Sequence, residues 1–90
     1  MTQRLDKQVA VVTGASRGIG RFIARELADA GAIVACVATR AENAADIVSE
    51  IEEAGGTAAA FGCHVEVADE VRTLFDAVAE ELGPTDILVN

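Results

Sequence analysis

The sequence predicts an α/β protein: a doubly wound parallel sheet read as βαβαβαβ, with strands in the spatial order 3-2-1-4. Three observations lead there. Short apolar runs alternate with helical stripes at 3–4 spacing along the chain. Glycine closes the helical segments at Gly31, Gly55-Gly56 and Gly83, which keeps the connections short. Three further glycines, Gly14, Gly18 and Gly20, stand where the first apolar run must become the first helix. Alternating elements with short connections give parallel pairing and right-handed crossovers.

Taken in order, Met1 to Asp6 is a polar lead-in, expected to be poorly ordered. Lys7 or Gln8 to Thr13 reads as a strand, nearly continuous in apolar residues and so buried on both faces. Gly18 to Ala30 reads as a helix with Ile19, Phe22, Ile23, Leu27 and Ala30 on one stripe. Ala32 to Ala38 is a second strand, with Thr39 and Arg40 at its carboxyl end. Glu42 to Ala54 is a second helix, burying Ala44, Ile47, Val48 and Ile51. Thr57 to Val65 is a third strand; its alanines favour helix by propensity, but the flanking Gly55-Gly56 and the internal Gly62 favour strand. Ala68 to Leu82 is a third helix, striped by Val71, Leu74, Phe75, Val78 and Leu82 and ended by Gly83-Pro84. Asp86 to Val89 begins a fourth strand.

Ninety residues allow one domain with a modest core, and only three residues are aromatic, all Phe. The core must be built from Ala, Val, Ile and Leu. No apolar run approaches the roughly 20 residues that span a membrane, and residues 1–8 carry no signal pattern, so a cytoplasmic location and no membrane partner are expected. The net charge of −8 argues against nucleic acid as a partner. That charge is uneven. Residues 1–40 hold six basic and three acidic residues, whereas residues 41–90 hold one basic and twelve acidic. The basic minority gathers around the glycine cluster and Arg40, where an anion would be held. Cys36 and Cys63 lie in apolar runs without metal-like spacing and read as buried, reduced thiols; no metal site is expected.

The glycine cluster has a specific chemistry. Gly14 permits the tight exit from the strand, Gly18 clears a path for a pyrophosphate to approach the backbone, and Gly20 lets the helix pack close to the strand. The first N–H groups of the helix have no internal partner and its dipole favours an anion there. Ser16 adds a hydroxyl and Arg17 a permanent positive charge.

The run Thr13-Gly14-Ala15-Ser16-Arg17-Gly18-Ile19-Gly20 resembles the cofactor-binding signature of the classical short-chain dehydrogenases/reductases, most of all their 3-oxoacyl-acyl-carrier-protein reductase branch. The terminal Asp86-Ile87-Leu88-Val89-Asn90 resembles the start of that family's Asn-Asn-Ala-Gly segment. The resemblance runs from about Lys7 to Asn90 and implies a Rossmann-type sheet. It also implies an NAD(P)-dependent oxidoreductase acting on carbonyl or alcohol groups, a small-molecule substrate, and a homo-oligomer, tetramer or dimer, at full length. Family catalysis uses a Ser and a Tyr-x-x-x-Lys pair. This chain has no Tyr, and its single Lys, Lys7, precedes the glycine turn, so no catalytic residue is assigned in it.

Ligands of such sheets lie beyond the carboxyl ends of the strands. There the resemblance and the residues together assign Gly14, Ser16, Arg17, Gly18, Ile19, Gly20, Thr39, Arg40, His64, Val65 and Asn90 to cofactor binding. The second strand ends in Ala38-Thr39-Arg40, without the carboxylate that would hydrogen-bond a ribose 2′-hydroxyl and repel a 2′-phosphate. Thr39 can donate a hydrogen bond and Arg40 a charge-assisted one, so NADP(H) is expected over NAD(H). In Cys63-His64-Val65, His64 falls where the family has an Asp that accepts a bond from adenine, a role a neutral imidazole can also fill. A two-residue shift would put Glu66 there instead. The chain stops within an apolar strand that should be central. Residues 1–90 are therefore expected to be the N-terminal part of a single NAD(P)-binding domain, the alternative being a non-catalytic nucleotide-binding module or a fragment completed by another chain.

Overall fold

The computed structural model describes residues 5–90. Four parallel strands form one sheet in the order β3-β2-β1-β4: β1 Val9–Thr13, β2 Ile33–Ala38, β3 Thr57–Gly62 and β4 Ile87–Val89. Three helices connect them: α1 Gly18–Asp29, α2 Ala45–Glu53 and α3 Ala68–Glu81. The predicted topology is the observed one. The register sets Val12 of β1 opposite Cys36 of β2 and Val89 of β4, and Ala38 opposite Gly62.

Side chains alternate across the sheet, so each strand serves two cores. Ala10, Val12, Val34 and Cys36 pack with Ala24 and Ala28 of α1 and Ile47 and Ile51 of α2. Val9, Val11, Val37 and Phe61 pack on the opposite face with Leu74 and Val78 of α3. Both cysteines are free and buried, as expected, and they belong to opposite faces. Burial pushes the Cys36 thiol up to about 12.

Three sequence expectations need correction. The first is the stripe on α1. Ile19 is 79% exposed and Phe22 65%, while Ala24 and Ala28 are buried. The cause is Gly20: a Cβ there would collide with the Gly14 carbonyl oxygen and come within 2.7 Å of its carbon. The helix rides so close to the sheet that the small row Gly20, Ala24, Ala28, spaced by four, lies beneath it, while Leu27 of the predicted stripe packs against the same core from its margin. Second, the second helix does not begin at Glu42. Ala41–Ala44 is a 3₁₀ turn, and the α-helix follows it. Third, β3 ends at Gly62, not Val65, because its neighbour β2 ends opposite, at Ala38; one further bond, Cys63 N–H to the Ala38 carbonyl at 2.9 Å, closes the pairing.

The N-terminal lead-in lies partly outside the described residues. Within them, Leu5, Lys7 and Gln8 form a bonded turn: Leu5 N–H donates to Ala30 at 2.9 Å and Lys7 N–H to Gly31 at 3.1 Å. These bonds tie the start of β1 to the end of α1. Lys7 takes a left-handed φ of +64°. At the other sheet margin Asp86 clamps β4 to β1: its carboxylate accepts from Val9 N–H at 2.9 Å, and its own N–H donates to the Val9 carbonyl at 2.8 Å.

Candidate functional site: a cleft at the carboxyl edge of the sheet

The strand ends converge on a cleft of about 530 Å³, bordered by the β1–α1 turn, the ends of β2 and β3, and Asn90. Each wall is set by a local feature of the sequence. Gly14 and Gly18 both adopt φ +63°, a conformation only glycine takes without strain, and a Cβ at Gly18 would meet nothing within 4 Å. The space in front of Gly18 is open. Arg17 precedes α1 in an extended conformation, and neither it nor any acidic residue of the first turn caps the helix. Among the described residues the leading N–H groups of α1 therefore have no side-chain cap, and they face the site with an unbalanced positive end. The Ala15 N–H donates to Val37 at 3.0 Å, which fixes the turn against β2.

Of the sequence-assigned residues, Gly14, Ser16, Arg17, Thr39, His64, Val65 and Asn90 line the cleft. Gly18, Ile19 and Gly20 form the start of α1 behind it. Glu66, the competing position for His64, also lines it. Arg40 lies beside the cleft rather than in its wall. Its Nε sits 3.8 Å from Glu42 Oε2, in a pair whose side chains are 72% and 71% exposed. A pair so exposed is held weakly, and the guanidinium can turn to a stronger anion.

The Thr13 hydroxyl donates to Asn90 Oδ1 at 3.2 Å and lies 3.4 Å from the Val89 carbonyl, so Asn90 ties the ends of β4 and β1. The carbonyl oxygen of its amide is engaged there. His64 is half exposed, with Nδ1 3.0 Å from Glu70 Oε1.

Two residues escaped the sequence reading. Gly62 underlies the Thr39–Ala41 segment so closely that a Cβ would lie 2.9 Å from Ala41 N and 3.4 Å from Arg40 Cα. That glycine sets how Thr39 and Arg40 approach the cleft; its only sequence signal was a glycine interrupting a strand. Glu70 contacts His64 from six residues away. Its signal was its place three residues into a helix, where acidic side chains reach back to free N–H groups.

The fold and this edge define a class: an α/β sheet with a glycine-rich, anion-accepting turn at its switch point. Comparison with known proteins makes the class specific. The short chain dehydrogenase family model matches residues 8–90. The 7alpha-hydroxysteroid dehydrogenase of Escherichia coli is 42% identical over 87 residues, covering 97% of this chain and 34% of that protein. Among solved structures, a citronellol catabolism dehydrogenase of Pseudomonas aeruginosa superposes with a TM-score of 0.94 at 37% identity, over 100% of this chain and 38% of that one. A metagenomic short-chain oxidoreductase in complex with NADP superposes with a TM-score of 0.88 at 42% identity, over 93% of this chain and 38% of that one.

This chain belongs to the short-chain dehydrogenase family. It spans about a third of the length of the curated relatives it matches. These relatives do not single out the 3-oxoacyl-acyl-carrier-protein reductase branch. No helix among the described residues is long and apolar enough to cross a membrane.

Proposed function

We propose that these 90 residues are the N-terminal part of a single NAD(P)-binding domain in an NADP(H)-dependent oxidoreductase of carbonyl or alcohol groups. The observation that carries the reading is the anion-accepting edge: an uncapped α1 behind an open Gly18, flanked by Arg17, with no carboxylate at the end of β2. The residues fit the cofactor. The α1 N-terminus and the Gly14–Gly20 turn would hold the pyrophosphate, with Ser16 as a further donor. Thr39, Arg40 and Arg17 would hold the 2′-phosphate. His64 and Val65 would border adenine, and Asn90 would hold the strand ends in register.

The nicotinamide, when bound, supplies or accepts the hydride. This stretch binds and orients. It contains no tyrosine, so the family's Ser, Tyr and Lys are not furnished by these residues. Membership in a family of dehydrogenases favours an enzyme over a non-catalytic module. The solved relative that holds NADP supports the choice of dinucleotide. A small-molecule substrate, a cytoplasmic setting and a homo-oligomer complete the reading.

The test is cofactor preference. Ala38→Asp places a carboxylate where the 2′-phosphate would lie and should turn the preference from NADPH toward NADH. Arg40→Ala should weaken NADPH about tenfold, the worth of one charge-assisted hydrogen bond, and leave NADH unchanged. Relative Kd values unmoved by both substitutions would overturn the assignment.

A further inference from the structure

Glu70, the third residue of α3, receives two hydrogen bonds from one residue on a single oxygen. The His64 backbone N–H donates to Oε1 at 2.8 Å, and His64 Nδ1 lies 3.0 Å from the same atom. The backbone bond first, and the ring bond second, hold the Glu70 carboxyl below its usual range. An ionised carboxylate only accepts, so Nδ1 must carry a proton. In the neutral ring the other nitrogen, Nε2, then keeps its lone pair. His64 lines the cleft and Glu70 does not, so the carboxylate acts from behind the ring.

We infer that Glu70 is a positioning residue: it locks His64 as the Nδ1–H tautomer, turns a residue of the cleft wall into a hydrogen-bond acceptor, and thereby selects a 6-amino purine over a 6-oxo purine. The inference rests on the reading that the cleft takes an adenine dinucleotide. The exocyclic amine of adenine donates to Nε2. A 6-oxo purine sets an oxygen lone pair against the lone pair of Nε2, and the bond is lost. Without Glu70 the ring is free to take the Nε2–H form usual for an unconstrained histidine, which accepts nothing at that edge.

His64 is the only histidine in the chain, so its nitrogen-15 imidazole signals are unambiguous. In its neutral form the wild-type imidazole should show a protonated Nδ1 and an unprotonated Nε2. Glu70→Ala should move the population to Nε2–H. Glu70→Gln, whose amide oxygen still accepts both bonds, should keep the wild-type pattern. Titration with NADPH and with its hypoxanthine counterpart supplies the second readout. The wild type should favour the amino form about five- to tenfold, the size of one net hydrogen bond. Glu70→Ala should bring that ratio near one, and Glu70→Gln should preserve most of it.

An Nε2–H ring in the wild type overturns the inference. So does a ratio unchanged in Glu70→Ala while both affinities fall, because Glu70 would then only brace the loop. If the tautomer is as stated but neither dinucleotide binds the wild type, the cofactor reading fails and the purine selection fails with it.

Discussion

A Cβ on Gly20 cannot be accommodated by a side-chain shift, because its neighbours are the backbone carbonyl of Gly14 and, at 3.3 Å, that of Thr13. Gly20→Ala must lift α1 from the strand exit or distort the turn. We expect a loss of about 1–3 kcal/mol, as for overpacking a tight core, read from urea unfolding. Gly18→Ala meets no atom but forces a left-handed conformation on alanine, so its cost comes from the backbone alone. At this scale the sequence was informative about Gly14, Gly18 and Gly20, since that spacing between a strand and a helix suits an anion-binding turn and little else. It did not assign Gly62 or Glu70 to the site. Their roles depend on which segments the fold brings together, Thr39–Ala41 over one and His64 against the other, and no short-range pattern encodes that.

At the scale of elements, α1 and α2 are joined on their exposed sides by a charge network. Arg21 Nη2 lies 2.9 Å from Glu50 Oε1, Arg25 Nη1 lies 3.0 Å from Glu50 Oε2, and Arg25 Nε lies 3.1 Å from Asp29 Oδ1. The bonds from Arg21 and then Arg25 hold the Glu50 carboxyl below its usual range. Its folded-state pKa is thus depressed. The stabilisation it gives is present above the unfolded-state value near pH ~4.3 and is lost as pH falls through the lower folded value. Urea midpoints measured at successive pH values should show the wild type losing its advantage over Glu50→Gln across that acid window. A constant gap between the two would mean that the carboxylate is not engaged.

The elements themselves were largely legible, because strand and helix periods alternate cleanly and glycine marks the ends. The α1 stripe was misread at Ile19 and Phe22, which are exposed, though Leu27 packs on the core as expected. Periodicity finds the apolar face of a helix, but it does not reveal that close approach has reserved the sheet side for Gly20, Ala24 and Ala28.

The whole molecule has a comparable cavity at each end of its sheet, about 530 Å³ at the carboxyl edge and about 490 Å³ at the amino edge. Volume does not choose between them; chemistry does. The amino-edge cavity is bordered by Asp6, Asp29 and Lys7, two carboxylates to one cation, and faces the C-terminal end of α1, a balance unfavourable to an anion. The carboxyl edge offers the free N-terminus of α1, Arg17 and Thr39. In a chain of net charge −8, Arg17 balances Glu66 in this lining, and the free helix N-terminus adds the positive end that suits the edge to a polyanionic cofactor.

The most direct test is to titrate NADPH into the nitrogen-15-labelled chain and follow the backbone amides. Shifts should concentrate at Gly14 to Gly20, Thr39, Arg40, His64, Val65 and Asn90, while Gly31, Ala54 and Thr57 at the opposite edge stay still. Shifts centred on the opposite edge, or none at any NADPH concentration, would contradict a cofactor site at the carboxyl edge.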